Sequence, residues 1–446
     1  MKFLIEGGVP LKGKVEISGA KNEATKLIAA SLLTDEEVIL NNVPRICDVD
    51  YTLRMFRSFG GKTKWLGSHR LALSAASLHS SLIPDSLSQK CRIALLMVGP
   101  LLARLGTATL PNSGGDNLGQ RATNRFFDAW TSFGAAFTRA TDGTLIECHR
   151  LQGAEINFKR SSHTATESAI LTATLAEGET VITNAAEEPE IDNLINFLNQ
   201  LGAKVQRVEP RRIVIEGVKN LTGTEFTVGP DGNEAVTLAL AAVVTRGEVT
   251  MQNLRAADLT AFLSKVGKMG VSYEILEKGT GLKVWLDREK KLTQIDLIQT
   301  RPHPGFKTDW QAPFSVLMTQ ADGVGLIQET IYINRFAYVR ELNRMGAKIE
   351  LLKATEANLP FILDHDGYNP DNDSEPQTVA KIIGPTKLTR ERLTVADLRA
   401  GATLVLAALC AEGKSEISGA ELVDRGYENF DLKLKALGAK IERVGE

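Results

Sequence analysis

The residues Gly114-Gly115-Asp116-Asn117-Leu118-Gly119-Gln120-Arg121 set one carboxyl group and one guanidinium five residues apart on a glycine-rich segment. Glycine leaves such a segment free to bend and lets a ligand come close to its backbone, so the loop can close over a substrate and carry an acid in with it. The same residues also make an ordinary surface turn. Cations stand just ahead of five apolar runs: Ser18-Gly19-Ala20-Lys21-Asn22, Gln89-Lys90-Cys91-Arg92, Arg160-Ser161-Ser162-His163-Thr164, Phe306-Lys307-Thr308-Asp309 and Ala396-Asp397-Leu398-Arg399. With Asn334-Arg335-Phe336 and Asp424-Arg425-Gly426-Tyr427-Glu428 they supply Lys21, Arg92, Arg121, Arg335, Arg399 and Arg425 as candidates for one polyanion pocket. The planar fork of arginine suits a bidentate grip on carboxylate and phosphate. Singly, each cation is as readily a solvated helix end. Their recurrence at one place in a repeat favours a site.

The repeat is what must position them. An apolar run, a short turn and a strand-like run recur, as in Ala176-Glu177-Gly178-Glu179-Thr180-Val181, Thr245-Arg246-Gly247-Glu248-Val249 and Ala411-Glu412-Gly413-Lys414-Ser415. A second helix-like run in each copy ends at a glycine that leads into a strand: Gly60, Gly134, Gly202, Gly270, Gly346 and Gly438. These glycines recur roughly every 70 residues, with a longer last interval. The excess falls in a polar, acidic stretch near 364–378 that reads as an exposed insertion. Two helices and several strands per copy exceed a solenoid repeat, so each copy is a small βα subdomain. Six copies divide into two domains of three. The apolar first helices, such as 165–175 and 402–409, read as buried, which turns the sheets outward: an α/β protein built as a two-domain inside-out α/β barrel of six βα repeats. The N-terminal ends of the first helices would then collect in the cleft, where helix dipoles favour an anion.

Composition narrows the function classes. At 446 residues the chain exceeds one ordinary core. Its 52 basic and 54 acidic residues leave no overall field that would favour nucleic acid. The longest apolar run, 93–105, is too short for a bilayer and contains Gly99-Pro100. The N-terminus lacks the apolar core of a signal peptide, so a cytoplasmic protein is expected. Cys47, Cys91, Cys148 and Cys410 are dispersed, and the six histidines show no paired spacing; neither a metal nor a disulfide framework is expected.

Along nearly its whole length the chain resembles the enolpyruvyl transferases. The likeness rests on Ser18-Gly19-Ala20-Lys21-Asn22, Asn184-Ala185-Ala186-Glu187-Glu188-Pro189-Glu190-Ile191, Pro302-His303-Pro304-Gly305-Phe306-Lys307-Thr308-Asp309, Asn334-Arg335-Phe336, Asp397-Leu398-Arg399-Ala400 and Asp424-Arg425-Gly426-Tyr427-Glu428. Gly19-Ala20-Lys21-Asn22 stands where the branch acting on shikimate 3-phosphate would have a Gly-Asp-Lys-Ser motif, so the branch using UDP-N-acetylglucosamine is the nearer one. The resemblance implies transfer of the enolpyruvyl group of phosphoenolpyruvate to the 3'-hydroxyl of that sugar nucleotide, with no cofactor, no metal, no nucleic acid or membrane contact and no obligate protein partner. It implies that Lys21, Arg121 and Arg425 hold the phosphate of phosphoenolpyruvate, Arg335 and Arg399 its carboxylate, and Asn22 lies beside it. Asn22, Arg92 and Asp309 would face the amino sugar, with Asp309 as base. Asp116 stands where most members carry a cysteine that protonates the methylene carbon; a carboxylic acid can do the same. Closure and desolvation raise the pKa of such an acid and neighbouring arginines lower it, so the loop position decides. The implied domains are 1–21 with 231–446, and 22–230 carrying the acid loop 112–122.

The departures gather on the nucleotide side. After Arg121 the family's Pro-x-Asp is replaced by Ala122-Thr123-Asn124-Arg125, and its Ser-Val-Gly by Ser162-His163-Thr164, after Arg160. An Arg-Ile-Glu-Ala-Gly motif gives way to Gly232-Asn233-Glu234-Ala235-Val236. Together with Ile331, the residues Arg121 to Arg125, Arg160, Ser162 and His163 are the expected sugar-nucleotide contacts. His163 either stacks on the uracil or packs beneath it. Two alternatives stay open: another sugar nucleotide or nucleoside phosphate as acceptor, and a silent sugar-nucleotide-binding paralogue.

Overall fold

Six outer helices end by the same device. Gly60, Gly134, Gly202, Gly270, Gly346 and Gly438 have φ of 102, 93, 95, 95, 101 and 98°, a left-handed conformation that a Cβ would strain. Each follows an outer helix (Cys47–Ser58, Asn124–Ser132, Pro189–Gln200, Thr260–Lys268, Val339–Arg344, Phe430–Ala436) and turns the chain into a strand. The computed structural model describes residues 1–111, 123–141, 143–287, 289–363, 368–369 and 372–445.

Each copy also has an inner helix: α1 (Lys21–Ala30), α2 (Ala94–Leu105), α3 (His163–Ala173), α4 (Gly232–Val244), α5 (Thr308–Thr319) and α6 (Leu398–Cys410). These helices are buried along most of their length. In α4 every residue from Asn233 to Val244 is buried, as is every residue of α6 from Leu398 to Leu409. The chain divides into two compact units, one of Met1–Ser18 with Pro230–Glu446 and one within 19–229. In the first, α4, α5 and α6 pack pairwise on one another; in the second, α2 packs on both α1 and α3.

Sheets clothe the helices. Among the described residues five sheets have four strands and one has three. Their strands alternate inward and outward, as in Glu179–Thr183, so one face lies on the helices and the other on solvent. Lys2–Glu6 runs antiparallel between Lys414–Ser418 and Lys440–Val444, and Lys12–Glu16 lies parallel to Glu248–Gln252, so the N-terminus completes two sheets of the first unit. Thr224–Thr227, the last strand of the second unit, pairs with its first strand, Val38–Asn41. The chain leaves and re-enters at neighbouring points: the Ser18 carbonyl accepts from Asp231 N–H at 2.9 Å in the first unit, and the Gly229 carbonyl from Ala20 N–H at 2.7 Å in the second.

No helix among the described residues is long and apolar enough to cross a membrane. In the acidic stretch, Asn372, Asp373 and Ser374 are exposed; residues 364–367 and 370–371 lie outside the described residues.

Candidate active site

In the first unit three inner helices present their N-terminal turns. Asp231 caps α4, accepting from Asn233 and Glu234 N–H at 2.8 and 3.1 Å. Asp397 caps α6, accepting from Arg399 and Ala400 N–H at 2.9 and 3.0 Å. Asp309 sits in the first turn of α5, where it accepts from Arg335 Nη2 at 2.5 Å, Arg399 Nη2 at 3.0 Å and Asn233 Nδ2 at 3.4 Å. The Asn233 side-chain oxygen Oδ1 accepts from Trp310 Nε1 at 2.9 Å, which fixes the orientation of that amide. Asp309, Arg335 and Arg399, proposed from sequence motifs far apart in the chain, therefore meet.

Both guanidiniums are almost wholly buried, at 5 and 6% exposure against 26% for Asp309. Burial alone would lower their pKa values, but Asp309, Asp397 and Glu329 around Arg335, and Tyr427, Asp309 and Asp231 around Arg399, hold both above the ordinary arginine range. Arg399 lies 5.3 Å from the Tyr427 ring and Arg335 5.6 Å from the Tyr332 ring. Asp309 is the carboxylate the two cations share, while Asp231 and Asp397 accept from helix amides. The buried Arg335 Nε finds no hydrogen-bond partner among the described residues. Two desolvated cations, three helix N-termini and an unused donor form a place suited to a carboxylate or phosphate.

Glu329 holds the segment that leads to Arg335. Fully buried, it accepts from Thr300 and Thr308 hydroxyls at 3.1 and 2.8 Å and from Ile331 and Tyr332 N–H at 2.8 and 3.2 Å. Burial pushes its carboxyl up. Ile331 is thus fixed through its backbone. Arg425 is half-buried ahead of the helix Phe430–Ala436.

The second unit has its own constellation at the starts of α1 and α3. Lys21, first residue of α1, pairs with Asp48 Oδ2 at 2.7 Å, and Asn22 beside it is half-buried. One turn on, Lys26 reaches Glu167 at 2.8 Å; His163 Nε2 reaches the same carboxylate at 3.0 Å. Burial, the largest influence on His163, would lower its pKa, but Glu167 and Glu188 outweigh it and raise it. The sequence left His163 to stack or to pack; its ring is tied into a buried ion network. Ser162 caps α3 by accepting from Ala165 N–H at 3.4 Å, and Arg125 donates to the Ser161 carbonyl at 3.3 Å. Thr123 and Asn124 begin the helix Asn124–Ser132, Arg160 is exposed and Arg92 is half-buried ahead of α2. Asp116, Arg121 and Ala122 lie outside the described residues.

The sequence profile of EPSP synthase (3-phosphoshikimate 1-carboxyvinyltransferase) matches residues 5–434. The chain belongs to this enolpyruvyl transferase family. Among family relatives it is 37% identical over 447 residues to the UDP-N-acetylglucosamine 1-carboxyvinyltransferase of Treponema denticola, covering 99% of each chain. It is 40% identical over 442 residues to UDP-N-acetylglucosamine 1-carboxyvinyltransferase 1 of Caldanaerobacter subterraneus subsp. tengcongensis, again covering 99% of each. Among solved structures, the enolpyruvyl transferase NikO from Streptomyces tendae superposes with a TM-score of 0.84 at 22% identity, over 99% of this chain and 98% of that one. EPSP synthase from Acinetobacter baumannii gives 0.74 at 18% identity over the whole of both. At these identities the structural likeness establishes the family's two-domain inside-out fold.

Several residues around the family's motifs were not singled out from sequence. By sequence Asn233 falls among the nucleotide-side departures; in the structure it bonds Asp309 and Trp310. Its signal was the Asp231 cap two residues earlier, which marks a helix start. Asp48 and Glu167, the partners of Lys21 and Lys26, carried no motif of their own.

Proposed function

We infer that the protein transfers the enolpyruvyl group of phosphoenolpyruvate to the 3'-hydroxyl of UDP-N-acetylglucosamine, releasing phosphate, the committing step toward peptidoglycan precursors. The observation that carries this reading is full-length identity of 36–40% to enzymes bearing that name. The pairing of Asp309 with two buried guanidiniums supports the donor half of it. In the reaction, Asp116 gives a proton to the methylene carbon and C2 takes on oxocarbenium character. The 3'-oxygen bonds to C2 as its proton passes to Asp309. The C2–O bond to phosphate then breaks and the methyl group returns a proton, restoring the double bond. Arg335 and Arg399 hold the carboxylate of phosphoenolpyruvate, and Lys21, Arg121 and Arg425 its phosphate, charges that the helix starts also favour. Asn22, Arg92 and the residues from Ala122 to Arg125 take the acceptor, with Arg160, Ser162, His163 and Ile331. The test is phosphate release from phosphoenolpyruvate with and without UDP-N-acetylglucosamine, beside an Asp116→Ala variant. Release that needs the sugar nucleotide and is lost in the variant supports the scheme; release without the acceptor contradicts it.

A further inference from the structure

Ser18, the last residue of the first unit before the chain passes on, is bonded through every polar group it has. Its N–H donates to Glu234 Oε2 at 2.7 Å and its carbonyl accepts from Asp231 N–H at 2.9 Å. Its hydroxyl donates to Glu428 Oε2 at 2.8 Å and accepts from the Lys433 ammonium at 2.7 Å. Lys433 also pairs with Glu234 Oε1 at 2.6 Å, the two side chains being 16 and 2% exposed. Burying an ion pair this deeply is costly, and an apolar pair would secure a strand end as well. What the pair holds is a junction between two motifs. Ser18 lies three residues before Lys21, and Glu428 three after Arg425.

We propose that Glu234 and Lys433 are positioning residues: through Ser18 they clasp the chain end leading into Lys21 and Asn22 against the segment that carries Arg425. This rests on the proposed reaction, in which Lys21 and Arg425 take the phosphate of phosphoenolpyruvate. The groups facing Glu234 are Lys433 on the helix Phe430–Ala436, Asp231 at the start of α4, and Glu428 across the Ser18 hydroxyl. Burial dominates and pushes the Glu234 carboxyl up to about 7, against the pull of Lys433. The clasp is therefore charged above about pH 7 and loses its anion below it. Stability runs the other way. A carboxyl whose folded pKa is raised contributes most below its ordinary value of 4.5, and that contribution is lost as pH rises through about 7. Acid thus favours the fold at this group while releasing the clasp, which separates positioning from a purely structural role.

The test uses the full chain, with initial rates across roughly pH 6 to 8.5 for wild type, Glu234→Gln, Lys433→Met and Lys433→Arg. The KM for phosphoenolpyruvate of the wild type should rise about tenfold as pH falls through the Glu234 titration, a misplacement effect. Glu234→Gln should hold that raised KM at every pH with kcat little changed, and Lys433→Arg should restore part of what Lys433→Met loses. Variants that keep the wild-type KM and pH profile while only their thermal midpoint moves would overturn the proposal. If the wild type itself does not turn over, the functional reading fails, and hydrogen exchange over residues 17–22 then decides the clasp. Faster exchange in Glu234→Gln than in wild type upholds it; equal exchange overturns it.

Discussion

Asp309 is shared by two guanidiniums, so its removal and theirs should not be equivalent. Asp309→Asn leaves Arg335 and Arg399 buried without the carboxylate that both bond. We expect it to cost about 3 kcal/mol in urea denaturation and to lower kcat by about a hundredfold or more. Arg335→Met leaves Asp309 bonded to Arg399; it should cost less stability than Asp309→Asn yet raise the KM for phosphoenolpyruvate. Equal destabilisation by the two would show that the cations do not depend on this carboxylate. In the proposed reaction Asp116 is the acid and offers no thiol, so a thiol-directed epoxide such as fosfomycin should leave the protein active and residues 112–122 unmodified by mass spectrometry. An adduct within residues 112–122 would contradict this. Asp309, Arg335 and Arg399 were legible because each lies in a stretch that resembles a family motif. Asn233 was not, because its role follows from a helix start meeting another helix start 76 residues away. The Ser18 junction was beyond sequence for the same reason: its partners lie 216 and 410 residues off.

At the scale of elements, the six helix-ending glycines were readable because one residue type serves that conformation so well. Their surroundings differ, and with them the expected cost of change. A Cβ on Gly202 would meet nothing within 4 Å, so Gly202→Ala should show only the backbone strain of φ 95°, about 1 kcal/mol in a denaturation curve, with unchanged kinetics. A Cβ on Gly19 would lie 1.8 Å from the Asn42 carbonyl oxygen, two residues before Lys21. Gly19→Ala must move that backbone, and should raise the KM for phosphoenolpyruvate as well as destabilise. A kinetically silent Gly19→Ala would mean that the approach to Lys21 tolerates displacement. Inner helices such as those over 165–175 and 402–409 were also foreseeable from their apolar runs. Which helix starts face one another was not, since burial on every side gives no direction.

At the scale of the whole molecule, two units of like construction share one chain, and the N-terminal strands belong to the unit made mostly of 230–446. Lys2–Glu6 is an interior strand of its sheet, so residues 230–446 alone should not unfold cooperatively. Residues 1–18 joined to 230–446 by a short glycine linker should, because Ser18 and Asp231 are already hydrogen-bonded neighbours. Urea titrations followed by circular dichroism would check this, and a cooperative transition for 230–446 alone would refute it. The repeat made the two-unit plan visible in the sequence. The assignment of the first strands to sheets at the far end of the chain rests on pairings such as Lys2 with Ser418, which no local pattern reports.

The residues proposed to take the acceptor include those read as departures from the family's motifs, Ala122 to Arg125, Ser162 and His163. The most direct measurement is therefore to incubate the protein with phosphoenolpyruvate and a panel of sugar nucleotides and identify the product by mass spectrometry and proton NMR. An enolpyruvyl ether on the 3'-oxygen of UDP-N-acetylglucosamine is expected, with one phosphate released per ether formed. Recovery of UDP-N-acetylglucosamine unchanged, with phosphate released only in the presence of a different nucleotide, would contradict it.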